Sequence, residues 1–178
     1  MQQFNIGFIG AIAGKKIHPH WKEMCSQIMD IIPNAIFTSI GMRGDDTKGF
    51  HFIEKAYDIL PYVVEFDIFG YPLRSDHTGT CEQVLGEAMA CGVVPVVMAN
   101  PAEMEIVKHG SNGFVATTEQ DYVCHVVYLY EYPERRAEMA DAARVTAKAL
   151  YNVDTMVARW NEVWGDMMKE NKRERGVL

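Results

Sequence analysis

The stretch that decides the fold runs from Asp67 to Met98 and reads DIFGYPLRSDHTGTCEQVLGEAMACGVVPVVM. Asp67 to Leu73 is an apolar run of strand length, and Arg74 to Gly79 is a polar loop ending in glycine. About Thr80 to Cys91 reads as a helix with Gly92 as its C-cap, and Val93 to Met98 is a continuous valine-rich strand. Strand, loop, helix and strand make one βαβ unit, which requires parallel strands covered by helices.

Working outward, Phe4 to Ile9 is a strand ending in Gly10, followed by a loop with Gly14, Lys15 and Lys16. His18 to Ile32 carries apolar residues at helical spacing and is closed by Pro33. A second strand, Ala35 to Ile40, opens into the glycine-rich, acidic loop Gly41 to Asp46, and a short strand follows near Phe50 to Ile53. Beyond Met98 the pattern predicts a helix from Ala102 to His109, a strand from Gly113 to Ala116, and helices over Glu119 to Tyr132, Glu134 to Leu150 and Asp154 to Lys169. The expected class is therefore α/β: a Rossmann-like, mostly parallel sheet with helices on both faces. One domain is expected over residues 1–168, with a solvated, frayed tail over 169–178.

Composition narrows the function classes. A chain of 178 residues with 48% apolar and 23% charged residues matches one globular domain rather than a disordered segment. The formal charge of −7 lacks the basic footprint of a general nucleic-acid binder. No run approaches the ~20 apolar residues of a membrane span, and the N-terminus has no basic segment before its short apolar run. A cytoplasmic address is the expectation. Cys25, Cys81, Cys91 and Cys124 contain no CxxC pair, so they are read as reduced packing residues rather than zinc ligands.

Open parallel sheets bind ligands beyond the carboxyl ends of their strands, so the loops after Ile9, Ile40, Leu73 and Met98 should line one crevice. Within it, Asp76 to Cys81 places small and hydroxyl-bearing residues before a helix. Free N–H groups of Thr78, Gly79, Thr80 and Cys81 would favour an anion, and Gly79 would let a phosphate approach the backbone. An ordinary N-cap by Thr78 or Thr80 accounts for the same residues. Glu87 falls on one helical face with positions 80, 83 and 84, about 10 Å from Thr80 at ~1.5 Å per residue, which suits a carboxylate gripping a ribose diol. A solvated helix glutamate is the alternative. Lys15 or Lys16 and Arg43 are the available phosphate-neutralising cations.

Several chemistries lose their usual support, because GxGxxG, Walker A, GxSxG, HExxH and Asp-x-Asp motifs are absent. His18 and His20 form an HxH pair without an evident third ligand, so no metal is expected. Val153, Val157, Trp160, Trp164 and Met167 form an apolar stripe along the last helix. Core packing is its default reading and a partner surface the alternative.

These residues resemble a known family, the GT-B fold glycosyltransferases, and in particular the C-terminal, donor-binding domain of the retaining family four. Gly86 to Val97, GEAMACGVVPVV, is similar to that family's EAMACG-PVV segment, and Pro101 to Val115 to its PEIV-GxxG segment. The resemblance implies that Glu87 holds the nucleotide ribose, that Lys16 contacts phosphate and that Glu105 orients donor hydroxyls. His77-Thr78-Gly79-Thr80 is also similar to the histidine-threonine phosphate loop of the GT-B enzymes that attach N-acetylglucosamine to proteins. Two departures stand out: the first glutamate of the family's pair is Gly79 here, and the arginine after the first strand's glycine is Ala11.

The resemblance implies a nucleotide-diphosphate sugar as substrate, UDP-sugars slightly favoured, with no cofactor and no metal. It also implies that the acceptor lobe of the two-lobed fold is missing from this chain, and that the Trp160 and Trp164 stripe crosses to that lobe or to a partner chain. A non-catalytic nucleotide-sugar-binding or assembly module is the competing reading. Epimerisation of a sugar nucleotide on the same scaffold is a third.

Overall fold

The computed structural model describes residues 3–10, 16–77 and 82–174. Six strands, β1 (Phe4–Ile9), β2 (Ala35–Ile40), β3 (Phe50–Ile53), β4 (Ile68–Tyr71), β5 (Val94–Met98) and β6 (Phe114–Ala116), form one sheet in the order β3-β2-β1-β4-β5-β6. Every adjacent pair is parallel. The chain thus winds outward from β1 in one direction, then returns to lay β4 on the other side of β1. That reversal makes the ends of β1 and β4 the topological switch point.

Period-two alternation divides the strand side chains between two cores. On one face Ile68, Val94 and Val96 pack with Trp21, Met24, Cys25 and Ile28 of α1 (Trp21–Ile31) and with Tyr122, Val126 and Leu129 of α5 (Glu119–Glu131). On the other, Phe69, Tyr71 and Val97 meet Leu85, Ala88 and Met89 of α3 (Gln83–Ala90) and Ala143 and Ala147 of α6 (Pro133–Leu150). Helices cover both faces, as the sequence predicts. Glycines let the sheet be approached very closely: a Cβ at Gly7 would stand 1.9 Å from the Phe66 ring and one at Gly70 2.4 Å from the Tyr122 hydroxyl. Gly41, at φ +86°, makes the turn out of β2 that most side chains resist.

Several boundaries differ from the sequence reading, each for a local reason. Helix α1 starts at Trp21 rather than His18, because the His18 N–H donates to the Pro72 carbonyl at 2.8 Å and holds that segment extended. Helix α3 starts at Gln83 rather than near Thr80, with Glu82 as its N-cap residue. A short helix α2 (Leu60–Val63) occupies the segment before β4. Helix α4 (Pro101–Ile106) stops before His109, where the Lys108 N–H turns to the Asn112 side chain at 2.7 Å.

The last helix, α7 (Val153–Glu174), continues to Glu174, into the stretch for which the sequence predicts a frayed tail. Its apolar stripe is the larger correction. Trp160 is 54% exposed and Trp164 61%, so the stripe does not pack into this domain's core. At the junction of α6 and α7, Tyr151 lies over α3: its hydroxyl donates to the Glu82 carbonyl at 3.1 Å, and a Cβ on Gly86 would be 2.4 Å from its ring.

Candidate functional site

The site is built where β1 and β4 end. Ile17 bridges Leu73 in antiparallel sense, and the Arg74 N–H donates to the Lys16 carbonyl at 2.9 Å. The segments leaving the two switch-point strands are therefore fastened to each other. Lys16 is exposed on this fastening, and four residues after Leu73 the same chain supplies His77.

Behind the fastening lies a buried polar cluster. Glu103, on α4, is fully buried; its Oε1 is 3.1 Å from His77 Nε2 and accepts from the Asn100 side-chain amide at 3.1 Å. The other hydrogen of that amide group is directed to the Leu73 carbonyl at 3.3 Å. The Tyr71 hydroxyl donates to Glu82 Oε2 at 2.7 Å. Burial, then the hydrogen bond to Glu82 and its charge, push the Tyr71 phenol well above the ordinary tyrosine value. His77, Glu82 and Glu103 each offer a ligand atom within 4.8 Å of the other two. Among the described residues Glu103 Oε2 has no hydrogen-bond partner, an unmet demand at the heart of the cluster.

This arrangement has a clear chemical consequence. The Glu82 carboxylate stands at the start of α3, where the helix dipole favours negative charge, yet it makes no capping bond and is committed to Tyr71. A phosphate at the crevice would meet a carboxylate behind the helix start, so cation and N–H donors must come from the loops.

The sequence-predicted residues divide into three groups. Lys16 stands on the fastened pair of segments, and His77, three residues beyond Arg74, is buried against Glu103. Glu87 is exposed on α3, Glu105 is exposed on α4, and Arg43, on the loop after β2, is exposed with its Nε donating to Glu54 at 2.7 Å. A hollow of about 360 Å³ between Arg43, Asp45, Phe52 and Glu54 lies beside that pair. Of the expected helical face of positions 80, 83, 84 and 87, Gln83, Val84 and Glu87 lie on α3, which begins at Gln83. Thr78, Gly79, Thr80 and Cys81, together with Ala11 and Lys15, lie outside the described residues.

Sequence reading missed Tyr71, Glu82, Asn100 and Glu103. A usable signal was present only for Asn100, which stands before Pro101 as a helix N-cap residue does, although its amide is spent on Leu73 and Glu103 instead.

A family model described as "Glycosyl transferases group 1" matches residues 47–146, more than half of the chain. The chain belongs to that family. Among solved structures, this group 1 domain resembles HepE of Anabaena, crystallised in complex with UDP-glucose, with a TM-score of 0.72 and 19% identity. The match covers 93% of this chain and 49% of HepE, so the chain spans about half that protein's length. It also resembles the C-terminal domain of LpcC, a glycosyl transferase group 1 family protein from Francisella tularensis, with a TM-score of 0.71, 19% identity and coverage of 84% and 87%. At these identities the likeness establishes the GT-B lobe fold.

A curated relative from Dictyostelium discoideum, GDP-Man:Man(3)GlcNAc(2)-PP-Dol alpha-1,2-mannosyltransferase, is 42% identical over 60 residues. That match covers 33% of this chain and 12% of the relative. Among the described residues, no helix of the group 1 domain is long and apolar enough to cross a membrane.

Proposed function

We propose that this chain is the donor-binding half of a glycosyltransferase, holding a nucleotide-diphosphate sugar in the crevice between β1 and β4 while a second lobe supplies the acceptor. The observation that carries the reading is the antiparallel fastening of residues 16–18 to 72–74 at the switch point. It brings Lys16 together with the segment that leads to His77 at the switch point, where open parallel sheets hold nucleotides.

In this reading Lys16 and the N–H groups of Thr78 to Cys81 neutralise the diphosphate, and Glu87 accepts hydrogen bonds from the ribose hydroxyls. Positioned cations and N–H groups stabilise a departing diphosphate without metal. The exposure of Glu87 supports its availability for a ligand, and its carboxylate bears no burial cost in the free chain. His77 pairs with Glu103, whose Oε1 also accepts from the Asn100 amide, and the histidine-threonine stretch begins at this residue. Glu105 and Arg43 are assigned outer donor contacts. UDP is favoured as the nucleotide by the HepE likeness, and the cytoplasm as the location by cysteines that are free among the described residues.

The exposed stripe of α7 supports a second lobe or partner chain, since a single domain rarely leaves two tryptophans and three methionines of one helix unpacked. The same observation favours the competing reading, an assembly module that binds sugar nucleotides without turning them over.

Calorimetric titration of the chain with UDP, GDP, ADP and their sugar conjugates tests the proposal, with Glu87→Ala as the control. Selective binding that weakens in the variant is the expected result. Absence of binding at millimolar nucleotide, both alone and with a candidate second lobe present, would leave the assembly module as the better reading.

A further inference from the structure

We propose that His18, His20 and Glu119 form a binding site for one divalent transition-metal ion of the zinc type. The two histidines stand in the segment between β1 and α1, and Glu119 is the first residue of α5, 99 positions after His20. The fold therefore supplies the third ligand that the HxH pair lacks in sequence.

The geometry is close to what the ion requires. Glu119 Oε1 lies 2.6 Å from His20 Nδ1 and 4.0 Å from His18 Nε2. Metal bonds of about 2.0–2.2 Å in a tetrahedron set ligand atoms about 3.4 Å apart, between those two separations. Small rotations of the exposed His20 and Glu119 side chains and of the partly buried His18 ring bring the ligand atoms toward that distance. The 2.6 Å contact has its hydrogen where the ion would sit, and the metal replaces that hydrogen. A metal on His18 Nε2 moves the ring hydrogen to Nδ1, giving up only the 3.3 Å contact with the His20 N–H.

The backbones beneath the ligands are fixed. Trp21, next to His20, is buried against the sheet, and α5 begins with a capping box in which Thr118 and Asp121 bond each other's N–H groups. Two imidazoles and one carboxylate suit zinc, cobalt or nickel rather than calcium or magnesium. Side-chain exposures of 60% for His20 and 41% for Glu119 leave the ion a path in and a coordination position open to water. None of the three residues belongs to the proposed donor contacts.

The test is calorimetric titration of the full chain with zinc chloride in a non-chelating buffer, repeated for His18→Ala, His20→Ala and Glu119→Gln. One ion per chain is expected, with each variant binding at least tenfold more weakly and His109→Ala binding as the wild type does. Zinc should also raise the melting temperature of the wild type, as any ligand selective for the folded state must, and leave Glu119→Gln unshifted. A visible spectrum with cobalt that disappears in His20→Ala provides an independent signature. The ligands are partly or largely exposed, and circular dichroism of each variant establishes that it is folded. No uptake at millimolar zinc, wild-type affinity in all three variants, or loss of binding in His109→Ala would each overturn the proposal.

Discussion

The main-chain N–H of Arg74 donates to the carbonyl oxygen of Lys16 across 2.9 Å, joining the loop that leaves β4 to the loop that leaves β1. The bond is made by backbone, so its strength does not depend on which side chain stands at position 74. What it fixes is the position of Lys16, the one cation among the described residues assigned to the diphosphate.

Arg74→Pro removes that donor and restricts Leu73 to extended conformations, whereas Arg74→Ala keeps the N–H and loses only the exposed pair with Asp76. Thermal denaturation should show the proline variant destabilised by about 1 kcal/mol or more and the alanine variant by less than about 0.5 kcal/mol. Nucleotide affinity measured in parallel should fall in the first and hold in the second. Equal behaviour of the two variants would show that the fastening does not position the site.

Tyr71→Phe strips the buried Glu82 carboxylate of its hydroxyl donor and should destabilise the chain by about 1–3 kcal/mol. The phenol's pKa in the folded chain is raised above the unfolded value of about 10. Its stabilising contribution is thus complete below pH about 10 and is lost as pH rises from there toward the folded value. Wild-type stability should fall with pH above about 10, and more steeply than that of Tyr71→Phe. Denaturant midpoints measured across that range decide the matter.

Gly70→Ala forces a Cβ to within 2.4 Å of the Tyr122 hydroxyl and 2.9 Å of Ile6 Cγ2. Overpacking of this kind costs about 1–3 kcal/mol. Tyr122→Phe deletes the nearer obstacle, so the double variant should recover part of the loss, a coupling that a double-mutant cycle measures. Additive effects would mean that the sheet moves as a whole rather than at Tyr122.

Of the three tryptophans, Trp21 is buried while Trp160 and Trp164 are exposed on α7. Acrylamide should quench two of the three emissions in the isolated chain, and Trp160→Ala with Trp164→Ala should leave its melting temperature nearly unchanged, as surface changes do. Protection of both rings on adding a candidate second lobe would locate the docking face. Protection in the chain alone at rising concentration would point to self-association.

What could be read from sequence follows from how local each signal is. The strand-loop-helix-strand run from Asp67 to Met98 fixed a parallel sheet because glycines and valine runs report backbone geometry directly. The start of α3 was misplaced because Thr80, Cys81 and Glu82 are all acceptable near a helix start, and the choice falls to Tyr71, which draws the Glu82 side chain away from capping. The α7 stripe leaves core packing and a partner surface both open in sequence, because a 3.6-residue period shows that a helix has an apolar face, not what the face meets. Apart from Asn100 before Pro101, the Glu103 cluster is not legible in sequence, since Tyr71, His77 and Glu82 reach it from β4, the loop after β4 and the start of α3.

The anchoring of Tyr151 gives α7 the character of a lever. Its phenol grips the Glu82 carbonyl at the head of α3, and its ring rests on Gly86, one residue before Glu87. A partner seated on the tryptophans would bear on the same junction, so that the helix it grips and the helix carrying Glu87 share one hinge pin in Tyr151.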